Sequence, residues 1–74
     1  MPLPYAGQRK RRYILAVDYE SIGKRIKHYR TEKRLSQEEL ANGIHTTSVY
    51  ISYIESGSRA PSLETLISIA NALD

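Results

Sequence analysis

The sequence predicts an all-α domain, and three observations carry that expectation. Asp18, Ser36, Thr47 and Ser62 are capping residues that each stand ahead of a short stretch with apolar residues three and four apart. No stretch alternates apolar and polar residues as a half-buried strand would. The chain has 74 residues and no internal repeat, which suits one small domain and excludes several. The expected architecture is a compact bundle of four, or with a further segment five, short helices.

The first helix is expected over about 19–34, capped by Asp18, with Glu20 where the helix dipole favours an acid. Val17 is placed to staple against Ile22. Ile22, Ile26 and Tyr29 recur at i, i+4 and i+7 as the inward stripe, so Tyr29 reads as a core ring. Lys24, Arg25, Lys27, Lys33 and Arg34 read as a solvated face. Ser36-Gln37-Glu38-Glu39 has the S-x-x-E form of a capping box, and Leu35 can staple to Leu40. A second helix over about 37–44 buries Leu40, Ala41 and Ile44.

After a corner of about three residues, Thr47 caps a third helix over about 48–56, with Ile51 and Ile54 inward. Gly57 permits a left-handed stop. Pro61 keeps Ala60 out of helical geometry, and Ser62 caps a fourth helix over about 63–73 with Glu64 in its first turn. Leu63, Leu66, Ile67, Ala70 and Leu73 form its expected apolar face.

Composition narrows the function. There is no cysteine, hence no disulfide framework and no thiolate chemistry, which suits the reducing cytoplasm. No apolar run approaches the roughly 18–20 residues of a membrane span, and the opening residues lack the apolar segment of a secretion signal. The net charge of +3 is uneven. Arg9, Lys10, Arg11 and Arg12 stand in a tail of residues 1–17 with no acid, while residues 18–74 hold 7 basic and 8 acidic residues. A basic tail on a near-neutral body is a common footprint of nucleic-acid binding, and equally of a solvated terminus.

Nothing in the sequence is arranged for catalysis. Glu38 and Glu39 are adjacent, so on a helix they point about 100° apart and cannot flank one bond as acid and base. His28 and His45 fall on different helices without cysteine or a spaced carboxylate, so no metal site is expected. No phosphate-cradling glycine loop occurs, and neither a cofactor nor a small-molecule site is expected.

The run LSQEELA, an apolar residue, a corner, a hydroxyl cap and YISYIE resembles the helix-turn-helix of the phage-repressor and Cro-like (XRE) transcriptional regulators. The likeness extends through IGKRIKHYRTEKR before it and SGSRAPSLETLISIANAL after it, covering about residues 18–74. The resemblance implies a lambda-repressor-like DNA-binding domain whose third helix lies in the major groove. Thr47, Ser48, Val49, Ser52 and Tyr53 match the family's base-facing positions. Gln37, Tyr50 and Arg59 match positions that touch the DNA backbone, with helix-start N–H groups beside Gln37 adding attraction for anions. Arg30 and Glu55 match a pair that forms an ion pair behind the recognition helix. Two departures stand out: the corner position that is usually glycine is His45, and the apolar residue usually following it is Thr46. Histidine is among the residues enriched at positive φ, so the turn is still expected to form, with some strain.

The resemblance thus implies a sequence-specific repressor or activator of bacterial or phage origin, acting without catalysis on double-stranded DNA. A homodimer is expected, because one such unit reads only a few base pairs. Arg9, Lys10, Arg11 and Arg12 read either as an arm reaching the minor groove or backbone or as sequence ahead of the domain with no DNA role. The alternative function is an antitoxin-type or partner-protein interaction module on the same fold.

Overall fold

The computed structural model describes residues 17–74, in which the chain forms α1 (Tyr19–Glu32), α2 (Gln37–Gly43), α3 (Ser48–Ser56) and α4 (Leu63–Leu73). No strand occurs among the described residues. No described helix is long and apolar enough to cross a membrane. The arm residues Arg9 to Arg12 and the apolar residues Ile14 to Ala16 lie outside the described residues.

Each helix begins on a side-chain cap, which satisfies an N–H group that the helix itself leaves unpaired. The Asp18 carboxylate accepts from the Ser21 N–H at 3.1 Å, and Thr47 Oγ1 from the Tyr50 N–H at 3.2 Å. Ser62 Oγ accepts from the Thr65 N–H at 3.1 Å. At α2 the capping box is reciprocal: Ser36 Oγ accepts from the Glu39 N–H at 2.9 Å, while Glu39 Oε1 accepts from the Ser36 N–H at 2.8 Å.

The first three helices also end alike, each on one left-handed residue. Arg34 (φ 60°), His45 (φ 61°) and Gly57 (φ 82°) hold those positions. After each, a backbone N–H reaches back across the final turn: Leu35 to the Arg30 carbonyl, Thr46 to that of Ala41 and Ser58 to that of Tyr53. These stops correct two expected boundaries. α1 ends at Glu32 rather than Arg34, and α2 at Gly43 rather than Ile44. The reason is that Arg34 and His45 take the left-handed conformation without being glycine, at a strain cost that the surrounding bonds hold in place.

The core consists of Ile26, Leu40, Ala41, Ile51, Ile54 and Ile69, with Ile22, Ile44, Tyr50, Leu66 and Leu73 packed around it. Burying each large aliphatic side chain contributes about 1.5–3 kcal/mol. α3 lies at the centre, packed on both α1 and α2, and α4 closes more lightly on the same two helices. Gly23 is what lets α1 approach α3. A Cβ built there would lie 2.5 Å from the Glu55 carbonyl oxygen.

Three expected core placements are corrected. Tyr29 is 51% exposed, because its position on α1 borders an open apolar groove of about 370 Å³ between α1 and α4 instead of the sealed interior. On α4 the apolar face is rotated: Ile69, 2% exposed, is the residue driven into the core, whereas Leu63 is 73% exposed and Ile67 and Ala70 also face out. The apolar face of that helix is broad, running from Ile69 through Leu73, Leu66, Ala70 and Leu63 to Ile67 opposite Glu64, Ser68 and Asn71, and packing selects its Ile69 edge for burial. Val17 stays exposed ahead of α1.

Candidate nucleic-acid interface

α3 has two chemically distinct sides. Ile51, Ile54 and Glu55 are buried, and the opposite ridge at i, i+3, i+4 and i+7 is Val49, Ser52, Tyr53 and Ser56. Val49 is 58% and Tyr53 45% exposed, so both side chains are open to solvent along this ridge. The ridge carries no charge of its own, so no carboxylate on it opposes a polyanion.

The other residues singled out by sequence fall around this ridge. Thr47 is exposed, and its hydroxyl oxygen is engaged as the helix cap. Ser48 is half-buried at the first turn and less open than the ridge. Tyr50 is half-buried, and the Arg59 guanidinium from the loop after α3 lies 5.8 Å from its ring centre. This cation–π contact holds an exposed positive charge beside the start of α3.

Behind the ridge lies a polar cluster. Arg30 donates from Nε to Glu55 Oε2 at 2.6 Å and from Nη2 to Oε1 at 3.1 Å, a two-pronged pair in which both residues are buried. Its Nη1 donates to the Leu35 carbonyl at 2.7 Å. The Glu55 hydrogen bond raises the Arg30 pKa above its already high ordinary value, so the cation persists at every pH of interest. Gln37 Nε2 donates to Glu55 Oε1 at 3.0 Å.

Sequence reasoning missed several of these features. Gly23 carried no signal that set it apart, since Gly43 is likewise a lone glycine inside a helix and a Cβ there would meet nothing within 4 Å. Ser56 continues the outward spacing one turn beyond Ser52 and Tyr53, but beside Gly57 it marks only the helix stop. The Gln37 bond to Glu55 had no local signal, because the two residues are 18 apart in the chain.

A family model described as helix-turn-helix matches residues 26–74, which takes in α2, the corner at His45, α3 and α4. The chain belongs to the helix-turn-helix family, in its XRE/Cro-like branch. It is 41% identical over 54 residues to the ImmF control region 10 kDa protein of Bacillus phage phi105, a match covering 73% of this chain. The match spans 60% of that phage protein's own length.

Solved helix-turn-helix structures share the fold. The restriction-modification controller protein C.AhdI of Aeromonas hydrophila superposes with a TM-score of 0.75 at 38% identity, over 77% of this chain and 83% of that one. The clp gene regulator ClgR of Corynebacterium glutamicum superposes with a TM-score of 0.74 at 29% identity, over 78% of this chain and 62% of that one. Within the helix-turn-helix, α2 and α3 are the paired helices and His45 is the left-handed residue of their corner.

Proposed function

We propose that the protein is a sequence-specific, double-stranded-DNA-binding transcriptional regulator that lays α3 in the major groove. The observation that carries this reading is the exposed ridge Val49, Ser52 and Tyr53 on a helix whose opposite side, Ile51 and Ile54, is sealed in the core of a helix-turn-helix domain. Hydroxyls bond to several base edges, and Val49 suits a thymine methyl. In this reading Thr47, Ser48, Val49, Ser52 and Tyr53 face bases, and Gln37, Tyr50 and Arg59 meet the backbone. The relatives support a regulatory role, being a phage control-region protein, a restriction-modification controller and a gene regulator.

The proposal includes a homodimer acting in the cytoplasm of a bacterium or phage-infected cell. Two copies on half-sites about one helical turn apart supply the specificity that one short ridge lacks. The arm residues Arg9, Lys10, Arg11 and Arg12 add salt-sensitive affinity on the DNA backbone. Replacing those four by glutamine then lowers the slope of log affinity against log salt by about 0.9 for each phosphate that the arm had neutralised.

The test is selection of bound duplexes from a random pool by the full chain. An enriched two-fold-symmetric site is expected, bound by a species of twice the monomer mass in sedimentation. Ser52→Glu and Tyr53→Glu then abolish binding while unfolding stability stays within about 0.5 kcal/mol, as for exposed positions generally. A pool that never enriches, or both variants binding like the parent chain, removes the reading.

A further inference from the structure

Two residues supply three hydrogen bonds to the buried Glu55 carboxylate: Arg30 donates through Nε at 2.6 Å and Nη2 at 3.1 Å, and Gln37 through Nε2 at 3.0 Å. An ionised carboxylate only accepts hydrogen bonds, so the Gln37 amide meets it nitrogen-first. The amide therefore has one orientation, fixed by charge. Its NH2 group carries a second N–H that makes no hydrogen bond among the described residues, and the Gln37 side chain is only half-buried.

We propose that Glu55 is a positioning residue for DNA: it holds the Gln37 amide so that the second N–H stands ready as a donor to a backbone phosphate. A phosphate oxygen only accepts, so an amide that cannot flip always offers it a donor and loses no rotational freedom on binding. Arg30 cancels the Glu55 charge, which removes the repulsion that a lone buried anion would exert on the phosphate. Arg30 also binds the Leu35 carbonyl at 2.7 Å, two residues before Gln37. One guanidinium thereby ties α1, the entry to α2 and the last turn of α3 into a single body. The phosphate donor and the reading ridge keep a fixed separation as a result. This assignment rests on the DNA-binding reading.

The side-chain NH2 resonances of Gln37 test it in the isotope-labelled full chain, assigned by their disappearance in Gln37→Met. In the free protein one proton of the pair is expected downfield and slow to exchange, and the other at its ordinary position. Adding a short duplex of mixed sequence at low salt moves the second proton and leaves the first in place. Gln37→Met, which keeps the length and loses both N–H groups, weakens duplex binding by about tenfold. Gln37→Glu weakens it further by facing both Glu55 and the phosphate with a carboxylate. Glu55→Gln releases the displaced proton; should that variant fail to fold, the parent-chain resonances and Gln37→Met decide. Duplex binding with both Gln37 protons at ordinary positions, or unmoved by the duplex, overturns this assignment alone. No binding by the parent chain, with the displaced proton still visible, removes the DNA reading and this assignment with it.

Discussion

Gly23 of α1 lies so close beneath the last turn of α3 that a Cβ added there would sit 2.7 Å from the Glu55 carbonyl carbon. The obstacle is backbone, which cannot swing aside as a side chain does, so the helices must separate to admit even a methyl group. Because α3 carries the exposed ridge Val49, Ser52 and Tyr53 on its other side, this contact sets how the ridge is mounted.

Gly23→Ala should therefore destabilise the fold by about 1–3 kcal/mol or more, despite alanine being the better helix former. Gly43 is the control. No atom lies within 4 Å of a Cβ built there, so Gly43→Ala should stabilise by roughly 0.5–1 kcal/mol. Urea unfolding of the two variants checks the opposite signs.

Arg30→Ala leaves the Glu55 carboxylate buried with Gln37 as its remaining donor among the described side chains, and is expected to cost about 3–5 kcal/mol. Arg30→Met paired with Glu55→Met removes both charges at similar volume and should cost much less than the two single changes together. Chemical denaturation of the four members of the cycle measures the coupling.

His45 holds a left-handed conformation at φ 61° that glycine adopts without a Cβ clash. His45→Gly should raise stability by up to about 1 kcal/mol, the relieved strain exceeding the added freedom of the unfolded chain. A thermal melt shifted upward is the expected result, with the corner unchanged.

The buried side of α4 is Ile69, with Leu66 and Leu73 packed against the core. Ile69→Ala should cost about 2–5 kcal/mol, and Leu63→Ser and Ile67→Ser within about 0.5 kcal/mol each. Comparable losses at all three positions in denaturant unfolding would contradict this orientation of the helix.

Asp18 gives a pH signature. The Ser21 hydroxyl and then the Ser21 N–H donate to its carboxylate and hold its pKa below the ordinary aspartate value. A pKa depressed in the folded state contributes stability that is present above the unfolded value of about 4 and is lost as pH falls through the folded value. Asp18→Asn keeps a capping oxygen without a titrating charge, so the variant should lose less stability than the parent chain in that acid window. Melts from pH 6 down to pH 2 read the difference.

All four helix starts were legible because capping is local: Asp18, Ser36, Thr47 and Ser62 lie within three residues of the N–H groups they serve. The stop at Gly57 was legible for the same reason, and the departure from glycine at His45 marked the corner. The extra length expected of α1 and α2 came from Arg34 and Ile44, which give no local stop signal. In α3, the spacing of Ile51 and Ile54 set the inward side and left Ser48, Val49, Ser52 and Tyr53 on the outward arc, while the roles of Tyr50 and Tyr53 came from the family resemblance. In α4, Leu63, Leu66, Ile67, Ile69, Ala70 and Leu73 form one broad face opposite Glu64, Ser68 and Asn71, and period alone does not say which edge of that face is buried.

The sequence by itself determined where helices begin, that Ile51 and Ile54 face inward on α3, and that an uncharged ridge of hydroxyls with Val49 would stand opposite. Those properties depend on neighbours within a turn or two. Tertiary structure alone decided that Gly23 is the contact between α1 and α3, that Ile69 rather than Leu63 or Ile67 fills the core, that Tyr29 borders an open groove, and that Gln37 turns its nitrogen to Glu55. Each of those outcomes is a choice between groups far apart in the chain, made by the space and charge that the packed helices leave between them.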